Sequence, residues 1–251
     1  MKFTYEAYRH LISLLIRNGY SIESYSSWNK SQKPCILRHD VDIDVEKAAS
    51  FAEFESEVLG GDRGATYFFL ITSDFYNIHS KKNISLLKHI RNCGHDIGLH
   101  FDETVYKIND DIEILQKKIL EEKDILSNVI GDEITAVSMH RPSNNLLEMN
   151  LEIPSMINSY ANIFFRDFKY VSDSRMAWRE DVLSIVQSTQ FQKLHILTHP
   201  FWYEVEERSL EEKLLCFLRG GNEDRYDILN HNFKNLETEV KKNEVIYGIS
   251  R

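Results

Sequence analysis

The sequence predicts an α/β domain built on a parallel sheet. Apolar runs of strand length alternate with segments of helical periodicity, the pattern of βα units joined by right-handed crossovers. Ionisable residues follow those runs repeatedly at the same, C-terminal end: Asp40 and Asp42, His100, His140 with Arg141, Asp173, and His199. In a β/α barrel that is the end where sites form. The chain has 251 residues, 42% hydrophobic and 27% charged, enough for one large domain and ordinary for a folded globular chain.

Residues 4–18 carry Tyr8, Leu11, Ile12, Leu15 and Ile16 at helical spacing, and Gly19 is placed to end that helix. Residues 20–33 are rich in Ser, Asn and Lys and read as a surface loop. Cys35-Ile36-Leu37 opens the first strand and leads into Arg38-His39-Asp40-Val41-Asp42-Ile43-Asp44. Residues 45–58 read as a helix closing at Gly60-Gly61. Residues 65–71 are a nearly continuous apolar run and read as a buried strand. A short amphipathic helix over 84–91 stops at Gly94, and 95–100 is the next strand. The longest helix is expected over 108–129, with Ile108, Ile112, Leu115, Ile119, Ile125 and Val129 on one stripe. A strand over 134–139 ends in His140-Arg141-Pro142, where proline stops regular pairing. Loose alternation over 163–171 suggests a strand, 180–190 a helix, and 194–197 a strand ending in Thr198-His199-Pro200. Residues 208–243 are charged and helical; 245–247 suit a small strand or simple packing. No repeat, low-complexity tract or linker interrupts the pattern, so 1–251 is expected to be a single domain.

The formal net charge of -9 argues against nucleic acid as a partner, because a phosphate backbone attracts a basic face. No apolar run approaches the roughly 20 residues needed to span a bilayer. The first residues lack the features of a signal peptide. Cys35, Cys93 and Cys216 are odd in number, show no metal-type spacing and suit a reducing compartment. These features lead to the expectation of a cytoplasmic enzyme.

Strand alternation puts Asp40 and Asp42 on one side of an extended chain. Two carboxylates there repel unless a cation or a shared proton lies between them. The plainer reading is a strand end with solvated acids, one of them capping the next helix as Asp42 or Asp44. Isolated strand-end histidines are more often hydrogen-bonding residues than ligands; His39, His89, His95, His195 and His231 stay in that class. Asp42, His100 and His140 together offer one oxygen and two imidazole nitrogens, which suits zinc or a similar divalent ion with an open fourth position. Beside them Asp40 would serve as general base and His199 as general acid, with Arg141 holding Asp40 ionised and oriented.

These residues resemble the motifs of the polysaccharide deacetylases, the NodB-type carbohydrate esterases, and particularly a divergent branch bearing Arg-His-Asp-Val-Asp. The resemblance runs from about residue 36 to about residue 199. The family's first motif has an Asp base followed closely by an Asp ligand, here Asp40 and Asp42. Gly94-His95-Asp96-Ile97-Gly98-Leu99-His100 is similar to a segment whose last histidine binds metal. Arg141-Pro142 resembles the start of the third motif, whose Arg orients the base. Asp173 and Trp178 loosely match the fourth, where a Trp lines the pocket. Leu197-Thr198-His199 resembles the fifth, with a Leu facing the acetyl methyl and a His acting as acid. Two departures stand out. The family's second metal histidine falls at position 104, which is Thr here; His140 is the candidate substitute, with Glu103 or water as alternatives. The third motif continues Ser143-Asn144 and loses its second Pro and its Gly.

The resemblance implies a distorted seven-stranded β/α barrel, here with an extra N-terminal helix, a divalent metal with zinc the first choice, and removal of an acetyl group from an amino sugar or sugar intermediate. With no export signal, the expected substrate is an acetylated sugar, sugar nucleotide or lipid-linked sugar of surface-polysaccharide synthesis of the O-antigen or capsule type. Trp202, in Pro200-Phe201-Trp202-Tyr203, suits stacking on a sugar ring and equally suits a packed loop. Another metal-dependent amide or ester hydrolase on the same barrel, or a catalytically silent carbohydrate-binding relative, are the competing readings.

Overall fold

A computed structural model describes residues 1–61, 64–106, 108 and 111–247. The chain divides into two compact units, Met1–Val205 and Glu206–Arg251. The sequence reading took 1–251 as one domain; in the structure every strand lies in the first unit.

The first unit begins with helix α1 (Tyr5–Arg17), capped by the Thr4 side chain. Strand β1 (Ser21–Ile22) falls inside the stretch read as loop. It is followed by β2 (Pro34–Val41), α2 (Val45–Leu59), β3 (Thr66–Leu70), α3 (Lys81–Asn92), β4 (Asp96–Phe101) and α4 (Ile112–Ile130). Then come β5 (Ala136–Met139), α5 (Asn144–Glu148), β6 (Ile157–Asn158), β7 (Lys169–Ser172), α6 (Val182–Ser188) and β8 (Leu194–Thr198). All pairings between these strands are parallel, and seven of them run in the order β6-β5-β4-β3-β2-β8-β7, with β1 added beside β2. The path of seven strands, with helices packed around it, is the distorted β/α barrel expected from the motifs. It is open: no pairing joins β6 to β7 among the described residues.

Strand β2 lies inside that path, between β3 and β8, and all eight of its residues are buried. Period-two alternation divides them. Ile36, Arg38 and Asp40 face the barrel interior, where Ile36 joins Tyr25, Phe68, Ala136, Phe164 and Phe168 in an apolar floor. Gly98 belongs to that packing: a Cβ there would lie 2.4 Å from the Phe68 ring. His195 also belongs to the floor, between Tyr25 (Oη–Nε2 2.7 Å) and the Phe164 carbonyl (3.0 Å). Burial pushes its pKa down to about 3, so it is a neutral core histidine.

The other face of β2 meets α2. Its His39 places Nε2 3.0 and 3.1 Å from the two carboxylate oxygens of Glu55 and Nδ1 2.6 Å from Thr198 Oγ1 on β8. Glu55 also accepts hydrogen bonds from the hydroxyls of Tyr8 and Tyr67. A fully buried carboxylate is tolerable only with this many donors. His95 is bonded on both nitrogens, to Ala65 N and Ala52 O, and is structural as expected.

Other local expectations fail, among them that of the longest helix: α4 has 19 residues, and a 23-residue helix follows at Leu210–Asn232. Residues 163–167 form a π-helical turn, and the strand is confined to Lys169–Ser172. The apolar spacing of Ile163, Phe164 and Phe168 is used for packing on the barrel floor rather than for pairing. Residues 245–247 lie in helix α9 (Lys242–Tyr247), not a strand. The second unit also contains α7 (Leu210–Asn232), begun by a Ser209–Glu212 capping box, and α8 (Leu236–Glu239). Lys242 ties its turns together through Asp227 and Glu223. No helix among the described residues is long and apolar enough to cross a membrane.

The Glu55 cluster makes acid stability testable. Burial would raise the Glu55 carboxyl, but His39 and its other donors hold it at about 2 against an ordinary 4.5. A lowered folded pKa stabilises above the unfolded value, and the stabilisation is lost as pH falls from about 4.5 towards 2. The parent should therefore exceed Glu55→Gln by about 3 kcal/mol at neutral pH, and chemical denaturation at stepped pH should show the gap closing through that acid window. A gap independent of pH would contradict the ionised cluster.

Candidate metal centre

The site forms where β2, β4, β5 and β8 end. Asp42, in the bend just past β2, brings its carboxylate to the same side as Asp40, both near His100. His100 reaches this point from β4 and His140 from just past β5. Asp42 Oδ1 is 3.2 Å from His100 Nε2 and 3.5 Å from His140 Nδ1, and the two nitrogens are 3.1 Å apart. Among the described residues these three form the cluster whose side chains are able to share an ion. Ligand atoms about 2.0–2.1 Å from a tetrahedral zinc lie about 3.3 Å from one another. The observed triangle matches that spacing. Asp42 Oδ1 is also buried without a hydrogen bond, and the three donors leave a fourth position open. The residues present therefore fit a divalent ion.

Thr104, at the position where the resemblance places a second histidine, and the alternative ligand Glu103 are otherwise engaged. Thr104 bonds Asp102 through both its backbone N–H and its hydroxyl. Glu103 accepts from the backbone N–H of Ser143 at 2.6 Å. Asp44, whose capping role the sequence left open against Asp42, caps α2 by accepting from Glu46 N and Lys47 N.

Asp40 lies beside the triangle, its Oδ2 3.6 Å from His100 Nε2. Arg38 grips it from below, Nε to Oδ1 at 2.8 Å and Nη2 to Oδ2 at 2.8 Å. Burial would raise the Asp40 carboxyl, but Arg38 and then His100 hold it below the ordinary carboxylate value. The pair corrects the expectation for Arg141. That residue is exposed, at φ 48°, in the bend after His140, and it is Arg38 that holds Asp40.

On the far side His199 places Nε2 3.9 Å from Asp42 Oδ2. Its Nδ1 is 2.6 Å from Asp173 Oδ1, and its backbone N–H donates to Asp173 Oδ2 at 3.2 Å. Burial would lower the His199 pKa, but Asp173, then Asp42 and Asp40, push it up to about 9. Asp173 is thus not a substrate-facing residue; it is fully buried and serves His199. Leu197 faces inward two residues earlier on β8 and is buried. Trp202, with Phe201 and Pro200, borders a narrow cleft that is also lined by Asp40, Asp42 and His199. Trp178 is half-buried in the loop after β7 and is not among the residues lining that cleft.

No family model matches the chain, and no curated protein does. Among solved structures the chain is similar to a Streptococcus pyogenes deacetylase, PplD, in complex with acetate, at 13% identity and TM-score 0.43 over 57% of this chain and 66% of that one. It is also similar to the peptidoglycan deacetylase PdaC from Bacillus subtilis, at 14% identity and TM-score 0.42 over 81% and 98% of the two chains. A chitin deacetylase from the fungal pathogen Colletotrichum lindemuthianum matches at 12% identity and TM-score 0.42 over 81% and 86%.

The ligand triangle has a direct consequence. Zinc added to protein stripped of metal should bind one per chain in the parent, and His100→Ala or Asp42→Ala should abolish stoichiometric binding. Elemental analysis after dialysis decides it; full occupancy in His100→Ala would remove His100 from the ligand set.

Proposed function

We propose that this chain is a metal-dependent carbohydrate deacetylase of the polysaccharide deacetylase type. The observation that carries the reading is the Asp42–His100–His140 triangle, flanked on one side by Asp40 and on the other by His199. The order of the motifs along the sequence supports it. Asp42, His100 and His140 would hold the ion, with zinc the best fit to one carboxylate and two imidazoles. When bound, a divalent ion supplies Lewis acidity, polarising a carbonyl oxygen and making water more acidic.

The chain's own residues do the rest. Asp40, ionised and held in place, takes a proton from the attacking water. The oxygen of that water adds to the acetyl carbon, and the carbon–nitrogen bond then breaks. His199 delivers a proton from Nε2 to the departing amine, leaving acetate and a free amino group. Asp173 accepts from Nδ1–H and so directs the Nε2–H of His199 at the leaving group. Leu197 and Trp202 border the acetyl methyl and the sugar ring. The substrate is an acetylated amino sugar in a sugar nucleotide or lipid-linked intermediate of surface-polysaccharide synthesis, processed in the cytoplasm. The free cysteines Cys35, Cys93 and Cys216 suit a reducing compartment of that kind.

Two acetyl donors separate the roles. UDP-N-acetylglucosamine has an amine leaving group that needs a proton; 4-nitrophenyl acetate releases a phenolate that does not. Asp40→Asn should slow acetate release from both by about a hundredfold to ten-thousandfold, with metal content unchanged. His199→Ala should slow the amide reaction far more than the ester. Full turnover by Asp40→Asn on either donor would eliminate Asp40 as the base.

A further inference from the structure

We propose that Arg38 is the positioning residue for the general base, in the role that the motif resemblance gave to Arg141. The inference rests on the reading of Asp40 as base and goes beyond it, because it replaces the group that aims the base. Arg38 is fully buried, and its guanidinium spans the barrel interior. One edge forms the bidentate pair with Asp40, at 2.8 Å for each bond. The same Nη2 reaches Ser138 Oγ on β5, and the Tyr160 hydroxyl lies 3.4 Å away. The guanidinium carbon is 4.7 Å from the centre of the Tyr160 ring and 5.6 Å from that of Phe68. The fork is therefore fixed from two strands and clamped between aromatic faces, so it cannot follow a rotating carboxylate.

The chemistry explains why this matters. A base that must meet water at a metal site has to present one lone pair in one direction, and a carboxylate held by two parallel N–H bonds has no rotational freedom left. Lysine carries the same charge but has no fork, so it would neutralise Asp40 without orienting it. Arg141, freed from this task, is exposed at the rim of the site.

The experiment is a double-mutant cycle on the full chain loaded with zinc, using 4-nitrophenyl acetate as the probe. Arg38→Lys should lower kcat by about a hundredfold, with KM and metal content unchanged. In the Asp40→Asn background the same substitution should cost almost nothing further, since there is no base left to aim. Ser138→Ala, which removes one support of the fork and leaves the charge intact, should lower kcat more mildly and in the same non-additive way; it provides the test should Arg38→Lys fail to fold. Arg141→Ala should leave kcat near that of the parent. Equal losses from Arg38→Lys in both backgrounds, or unchanged kcat in Arg38→Lys or Ser138→Ala, would overturn the assignment while leaving Asp40 as base. Full activity of Asp40→Asn alone would instead overturn the functional reading beneath it.

Discussion

Arg38 and Asp40 share the inner side of a strand whose every residue is buried, Asp42 follows just past its end, and the site depends on how that charge is held. Two carboxylates two residues apart in a low-dielectric interior repel strongly. Arg38 answers the first of them from below, inside the barrel. His100 and His140 answer the second from above, at the strand ends. The two carboxylates thereby acquire different surroundings: Asp40 is held in one orientation by Arg38, and Asp42 presents an oxygen without a hydrogen bond.

The opposite face of the same strand supplies the rigidity. His39, the neighbour of Asp40, is bonded to Thr198, the neighbour of His199. Through His39 and Tyr67, Glu55 ties α2 to β2 and β3. The two groups that flank the triangle are thus fastened to each other one residue away from the chemistry. Positioning by a buried network behind the site is worth more than positioning by loops, since catalytic geometry fails with displacements of an ångström.

Much of this was legible in the sequence, and the exceptions have physical reasons. The strand ends were readable because apolar runs of strand length stop where polar residues begin, and His140 could be paired with Asp42 and His100 on ligand chemistry. The role of Arg38 was equally available: it sits two residues before Asp40, so the alternation that aligned Asp40 with Asp42 aligns Arg38 as well. The motif pattern drew attention to Arg141 instead, and nothing in a motif reports that the backbone there turns to positive φ. Glu55 falls on the apolar stripe of α2 with Ala48, Phe51 and Ala52, a spacing from which its burial could have been read, but its partners come from three other elements. Residues 163–167 misled because aromatic residues packing on a barrel floor have no fixed period, and a π turn leaves no signature in spacing.

The ends of three strands, β2, β4 and β5, converge on one triangle of ligand-type atoms. Crystals grown from the parent protein with zinc, measured on both sides of the zinc absorption edge, test it most directly. An anomalous peak is expected within bonding distance of Asp42 Oδ1, His100 Nε2 and His140 Nδ1, with Asp40 still gripped by Arg38. A peak held by Asp40 or Glu103 in place of His140, or no zinc at the ends of β2, β4 and β5, would contradict it.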